Sequence, residues 1–162
     1  MDRPFVHIVC PHCSAINRIP ASHPAGRAKC GSCHRPLFDG KPLAVTAEAF
    51  ELHRRRNDVP LLVDFWADWC GPCRAMAPAY ERAAAELEPA YRLLKLDADA
   101  APAIAARYQI RSIPTLMLFR GGQPIARSAG ATTTTGIVAW VRTQAQPADP
   151  YPDQASQAEQ RP

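Results

Sequence analysis

The chain has 162 residues, enough for one sizeable core with length to spare, and its 19 basic and 15 acidic residues give a formal charge of +4. So mild a balance implies no nucleic-acid or membrane partner, and no apolar run approaches the roughly 20 residues a membrane span needs. The first ten residues lack the apolar stretch and small-residue cleavage site of a signal peptide, so the expected location is the cytoplasm, where six cysteines in three Cys-x-x-Cys pairs point to metal binding and redox chemistry rather than to a disulfide framework.

Residues 1–40 read as a unit of their own. Cys10-Pro11-His12-Cys13 is followed, after sixteen intervening residues, by Cys30-Gly31-Ser32-Cys33. Two such knuckles brought together offer the tetrahedral thiolate set that zinc prefers. Phe5, Val6, Ile8, Val9, Ile16, Ile19, Leu37 and Phe38 make only a thin core, so metal binding is expected to supply the missing folding free energy. A pair of structural or regulatory disulfides is the alternative. His7, His12, His23 and His34 lie nearby but are surplus to a complete four-cysteine set. Arg18, Arg27, Lys29 and Arg35 raise the question of nucleic acid; four thiolates around one zinc carry a charge near −2 that largely offsets them, which favours a stabilising or partner-selecting module.

Asp39-Gly40-Lys41-Pro42 marks a turn and the expected boundary. Leu43 to Val45 reads as a short strand, and Thr46 as the cap of a helix through Phe50 and Leu52 that Asn57-Asp58-Val59-Pro60 ends. Leu61 to Phe65 is a nearly continuous apolar run, the pattern of a strand buried on both faces, and Asp64 interrupts it.

Trp66-Ala67-Asp68-Trp69-Cys70-Gly71-Pro72-Cys73-Arg74 then places two cysteines where a strand becomes a helix. Unpaired N–H groups and partial positive charge at a helix N-terminus favour a thiolate on Cys70, and the thiolate is the nucleophile of disulfide exchange. Gly71 permits a tight turn and Pro72 suits a first helical turn. Metal and redox uses share the Cys-x-x-Cys spacing, so spacing alone leaves both open.

The helix beyond continues through Met76, Tyr80, Ala84 and Leu87, with Pro78 kinking rather than ending it and Pro89 closing the pattern. Tyr91 to Asp97 is the next strand, in a parallel crossover with the one before, and Pro102 to Tyr108 a short helix. Ile113 to Phe119 and Pro124 to Arg127 flank Gly121-Gly122 as an antiparallel hairpin. Thr132 to Gln144 forms a last amphipathic helix. Residues 146–162, rich in proline, glutamine and alanine, are expected to be a disordered tail.

The stretch Val63-Asp64-Phe65-Trp66-Ala67-x-Trp69-Cys70-Gly71-Pro72-Cys73 resembles the active site of thioredoxins. Cys10-x-x-Cys13, Ile16-Asn17-Arg18-Ile19-Pro20, Lys29-Cys30-Gly31-x-Cys33 and Leu37-Phe38-Asp39-Gly40 further resemble the zinc-containing thioredoxin 2 type of bacteria. The resemblance implies an α/β thioredoxin fold, a central mixed sheet flanked by helices, over residues 41–145, behind a small zinc-ribbon-like domain over 1–40. It implies a cytoplasmic protein-disulfide reductase serving electron transport and cell redox homeostasis, recycled by thioredoxin reductase and NADPH. Cys70 would be the attacking thiolate and Cys73 the resolving one; Asp64 would match the family's buried acid and Lys95 its basic neighbour. Pro114 would match the cis proline beside the dithiol, and Trp69, Gly71, Pro72, Ile113 and Gly130 would line an apolar landing surface where an extended substrate pairs with Ile113. Trp66, Phe65, Phe119, Trp140, Met76 and Met117 are read as core. One structural zinc on Cys10, Cys13, Cys30 and Cys33, a redox-active Cys70–Cys73 disulfide and no organic cofactor complete the expectation, in a chain that nothing marks as an obligate dimer and that is taken as a monomer.

Competing readings are a disulfide oxidant or isomerase, against which Gly-Pro between the cysteines speaks, and an adaptor whose working part is the zinc unit, against which the intact dithiol, Asp64 and Pro114 speak. A regulatory role is also open, in which oxidation of the four zinc cysteines releases the metal and alters access to Cys70.

Overall fold

In the computed structural model, which describes residues 4–144, the chain builds two sheets. β1 (Phe5–Val9) and β2 (Ile16–Pro20) form an antiparallel hairpin. β3 (Leu43–Val45), β4 (Leu61–Trp66), β5 (Arg92–Asp97), β6 (Thr115–Arg120) and β7 (Gln123–Ala129) form one sheet in the order β3-β5-β4-β6-β7. The first three of these strands are parallel; β6 lies antiparallel to β4, and β7 to β6. The helices are α1 (Ala47–Arg56), α2 (Gly71–Leu87), α3 (Pro102–Arg107) and α4 (Thr134–Gln144). The expected tail over 146–162 lies outside the described residues.

Two apolar clusters sandwich the sheet. Leu62 of β4 packs with Met76, Tyr80 and Leu87 of α2 and Ile137 and Val141 of α4. Leu61, Val63 and Phe65 alternate to the other face, against Phe50 of α1 and Ile104 of α3. Alternation therefore puts Asp64 on the α2 face. Thr46 caps α1, its hydroxyl accepting from Ala49 N at 3.1 Å. Pro78 sits inside α2 without ending it, and the helix spans about 25 Å at 1.5 Å per residue.

Some expectations are corrected in detail. β6 begins at Thr115 rather than Ile113, because Pro114 has no N–H to give a ladder and its bond to Ile113 is cis. α4 begins at Thr134, two residues late. Trp66 and Trp140 are half-buried, unlike Phe65, Phe119, Met76 and Met117, which are buried. Phe5 and Ile16 are exposed on the outer face of the hairpin instead of lying in its core.

The core of the hairpin unit is completed from outside it. Val6, Ile8, Ile19, Leu37 and Phe38 pack with Ala25, Ala28 and, from just before β4, Val59. Arg92, at the start of β5, is buried under the unit: its Nη2 donates to Leu37 O at 2.7 Å and Val9 O at 3.2 Å, and its guanidinium lies 4.2 Å over the Phe38 ring. Nη1 meets Glu88 Oε1 at 3.5 Å, while Gly40 N donates to the other carboxylate oxygen at 3.0 Å. Val9 N donates to Asn57 Oδ1 at 2.7 Å, and the Asn57 amide is 2.6 Å from Nδ1 of buried His53. Burial pushes His53 down to about 3, so it stays neutral and accepts that bond. His7 and Asp58 exchange backbone and carboxylate bonds at 2.7 and 2.9 Å. All these contacts gather at the starts of β4 and β5 and the ends of α1 and α2, the end of the sheet opposite Cys70.

Arg92→Ala leaves the Glu88 carboxylate and two carbonyls buried without their partner, and we expect a loss of about 3–5 kcal/mol in urea unfolding of the full chain. A loss below about 1 kcal/mol would show that the guanidinium contributes little to docking.

Candidate active site and metal centre

Cys70 is the residue that caps α2 and Cys73 lies in its first turn. The two are joined as a disulfide with their Cα atoms 5.3 Å apart, and both are buried. Cys73 N donates to the Cys70 sulfur at 3.2 Å. The same N–H, with the helix dipole behind it, stabilises negative charge on that sulfur once the disulfide is reduced. On its other side the Cys70 sulfur lies 3.6 Å from Ile113 O, at the cis Ile113–Pro114 bond.

An open cleft of about 440 Å³ adjoins the dithiol. Of the expected landing residues, Trp69, Gly71, Pro72 and Ile113 line it; Pro114 is buried. Gly130 is not in its wall but holds the proline loop from behind, its N donating to Pro114 O at 2.9 Å with φ +96°, a conformation open to glycine. Ala98, Asp99, Ile110, Arg111 and Ser112 also line the cleft, and sequence reasoning missed them. Trp69 is 72% exposed and its indole N–H donates to Asp99 Oδ2 at 2.7 Å. Asp97 in turn accepts from Asp99 N at 2.9 Å and Ala100 N at 3.3 Å, bracing the loop.

Asp64 is 1% exposed, beneath α2 on the same sheet face as Leu62. It sits opposite Lys95 in the β4–β5 register, and Lys95 Nζ lies 4.4 Å over the Trp66 ring. Half-buried Lys95 thus belongs to the acid's surroundings rather than to open solvent. Burial pushes Asp64 up to about 7, with Lys95 pulling the other way, and among the described residues its Oδ1 has no hydrogen-bond partner. A carboxyl that exchanges a proton near neutral pH thus lies on the sheet face that α2, the helix carrying the dithiol, covers.

At the far end of the molecule the sulfurs of Cys10, Cys13, Cys30 and Cys33 all lie within 4.8 Å of one another, with Cys10–Cys33 and Cys13–Cys30 at 3.6 Å. Zinc–sulfur bonds of about 2.3 Å set tetrahedral sulfurs about 3.8 Å apart, so the four fit a zinc ion. His12 N and Ser32 N point at the Cys10 and Cys30 sulfurs at 3.4 and 3.3 Å, and the Asn17 amide reaches Cys30 at 3.5 Å, as thiolates bound to a metal require. None of the nearby histidines is in the cluster.

A dithiol at the first turn of a helix that leaves a central strand, in contact with Ile113 O and opening on a cleft, defines a thiol–disulfide oxidoreductase. The thioredoxin family model matches residues 41–143, and the model for the thioredoxin 2 N-terminal zinc ribbon matches residues 9–35. Thioredoxin C-3 of Corynebacterium nephridii is 37% identical over 139 residues, covering 86% of this chain and 95% of its own. The bifunctional thioredoxin reductase/thioredoxin of Mycobacterium leprae is 45% identical over 92 residues, 57% of this chain and 20% of its own. Among solved structures, a thioredoxin variant from Halobacterium salinarum has a TM-score of 0.60 at 29% identity, covering 67% of this chain and 95% of its own. The chain belongs to the thioredoxin family, carries a zinc-ribbon domain of the thioredoxin 2 type, and is a protein-disulfide reductase in kind.

The raised Asp64 sets a pH dependence. Unfolded, the carboxyl loses its proton near pH 4; folded, it keeps it to about 7. Folding takes up a proton between those values, so stability falls as pH rises through them. Asp64→Asn is expected to exceed the native chain by roughly 4 kcal/mol above pH 8 and to show no such gain below pH 4, with both proteins unfolded in urea as the disulfide form. Equal stability at both pH values would place the native carboxyl near its ordinary pKa.

Proposed function

We propose that the chain reduces disulfides of other cytoplasmic proteins through Cys70 and Cys73, and that thioredoxin reductase returns it to the dithiol with electrons from NADPH. The observation that carries this reading is the Cys70 sulfur itself, at the N-cap of α2, accepting from Cys73 N and opening on the cleft beside Ile113. The Cys70 thiolate attacks one sulfur of the substrate disulfide, forming a mixed disulfide and expelling the other sulfur as thiolate. Cys73 gives up its proton and attacks the Cys70 sulfur, which releases the second substrate thiol and closes the Cys70–Cys73 disulfide. Two electrons pass from protein to substrate, and the two sulfurs released take up one proton that originates at Cys73 and one from solvent. Asp64 accepts the Cys73 proton through a carboxyl poised near 7, and Lys95 keeps that carboxyl from rising further.

Trp69, Gly71, Pro72 and Ile113 form the landing surface, with Pro114 and Gly130 shaping the loop that presents Ile113. Residues 41–145 carry this chemistry. Residues 1–40 hold one structural zinc through Cys10, Cys13, Cys30 and Cys33, where the metal joins two loops that have little apolar surface to hold them. The reductase partner is suggested by the Mycobacterium leprae relative, whose name joins both activities in one protein. No nucleic-acid or membrane partner is invoked, and no helix among the described residues is long and apolar enough to cross a membrane. The chain acts as a monomer.

With thioredoxin reductase, NADPH and a protein disulfide, the intact zinc-loaded chain should consume NADPH and Cys70→Ser should fall to background. Absence of turnover in the intact chain would sink the reading. Metal analysis should find one zinc per chain, and Cys13→Ser should lose most of it; full zinc content in that variant would rule out the four-thiolate site.

A further inference from the structure

We propose that Arg111 makes the cleft selective for disulfide substrates with a carboxylate side chain close to the attacked sulfur. The inference rests on the reading of Cys70 as the attacking thiolate, and it names the substrate class for that site.

Two charged side chains line the cleft, and they differ in what they are free to do. Asp99 is engaged: its Oδ2 accepts from the Trp69 indole at 2.7 Å, and its own backbone is tied down by Asp97. Arg111 is exposed and makes no hydrogen bond or ion pair among the described residues. The neighbouring arginines are occupied, Arg107 with the Glu51 carboxylate and Arg127 with the carbonyls of Tyr108 and Gln109. Arg111 therefore stands apart from those neighbours as a guanidinium whose five donors are spent on nothing among the described residues.

Its position gives that freedom a use. Arg111 precedes Ile113 by two residues on the wall that brings Ile113 O within 3.6 Å of the Cys70 sulfur. A substrate segment extended along this wall, with its disulfide at Cys70, carries its flanking side chains past the guanidinium. A carboxylate there meets a planar fork that takes both of its oxygens, whereas an ammonium meets like charge. Because the contact forms at a wet rim, the discrimination is modest and sensitive to salt. Trp69, fixed by Asp99, supplies the apolar side of the cleft, which leaves charge selection to Arg111.

The test uses the full-length, zinc-loaded, pre-reduced chain and three disulfide-bonded peptides that differ only in Glu, Gln or Lys beside one cysteine. Single-turnover rates are read by quenching with an alkylating reagent, each divided by the rate with dithiothreitol to remove the substituent's effect on the disulfide itself. The Glu peptide should react about threefold to fivefold faster than Gln, and Lys slower by a similar factor, the spread closing in high salt. Arg111→Gln should abolish the order and Arg111→Glu reverse it. Arg55→Glu, the same charge change on α1 at the ribbon end of the molecule, should leave it intact. Equal rates for the three peptides, or an order that survives Arg111→Gln, would overturn the inference. If no peptide is reduced although both thiols are free, it is the assignment of the dithiol that fails.

Discussion

A strand covered by helices on both faces has to give every side chain to packing, and β4 meets that demand at five of its six positions with one polar exception. The whole site follows from this constraint. Packing fixes where β4 ends, and the end of β4 fixes the turn from which α2 starts with Cys70 as its cap. The exception, Asp64, is buried because the strand around it is, and burial is what lifts its carboxyl toward neutrality. The acid and the thiols are thus two consequences of one strand, the first through its alternation and the second through its exit.

The second organising contact is the Arg92 guanidinium. Arg92 has the largest fully buried side chain among the described residues, with carbonyls of the hairpin unit, a ring face and the Glu88 carboxylate around it. An arrangement of this kind contributes less net free energy than its list of contacts suggests, because desolvation offsets most of it, but it tolerates one docking geometry only. Asn57 and His53 act in the same direction at the edge of β1, where they satisfy an N–H that no neighbouring strand takes.

Features carried by local pattern were legible in the sequence. Cysteine spacing located both sulfur centres, the apolar run located β4, and the interruption of that run located Asp64. What escaped were polar residues whose partners lie far along the chain. Arg92 reaches carbonyls 83 and 55 residues away, and Asp99 meets Trp69 across 30 residues. Read singly, each looks like a surface charge, and only the folded register shows otherwise. Lys95 also reads singly as a surface charge, and the folded register sets it opposite Asp64. Phe5 and Ile16 misled in the other direction: their hairpin has one covered face, and both lie on the other, where apolar character gives no sign of exposure.

The length of α2 has a chemical consequence for a chain that holds six thiols. Sulfur exchange needs sulfur atoms in contact, and about 25 Å of helix stands between the end that carries Cys70 and the end against which the ribbon is docked. Cys70 cannot reach the four ribbon cysteines of its own chain, so the Cys70–Cys73 pair cannot scramble with them within one molecule. By the same distance it cannot repair them. A ribbon oxidised to disulfides can be reduced only by a separate molecule, never by the dithiol of the same chain.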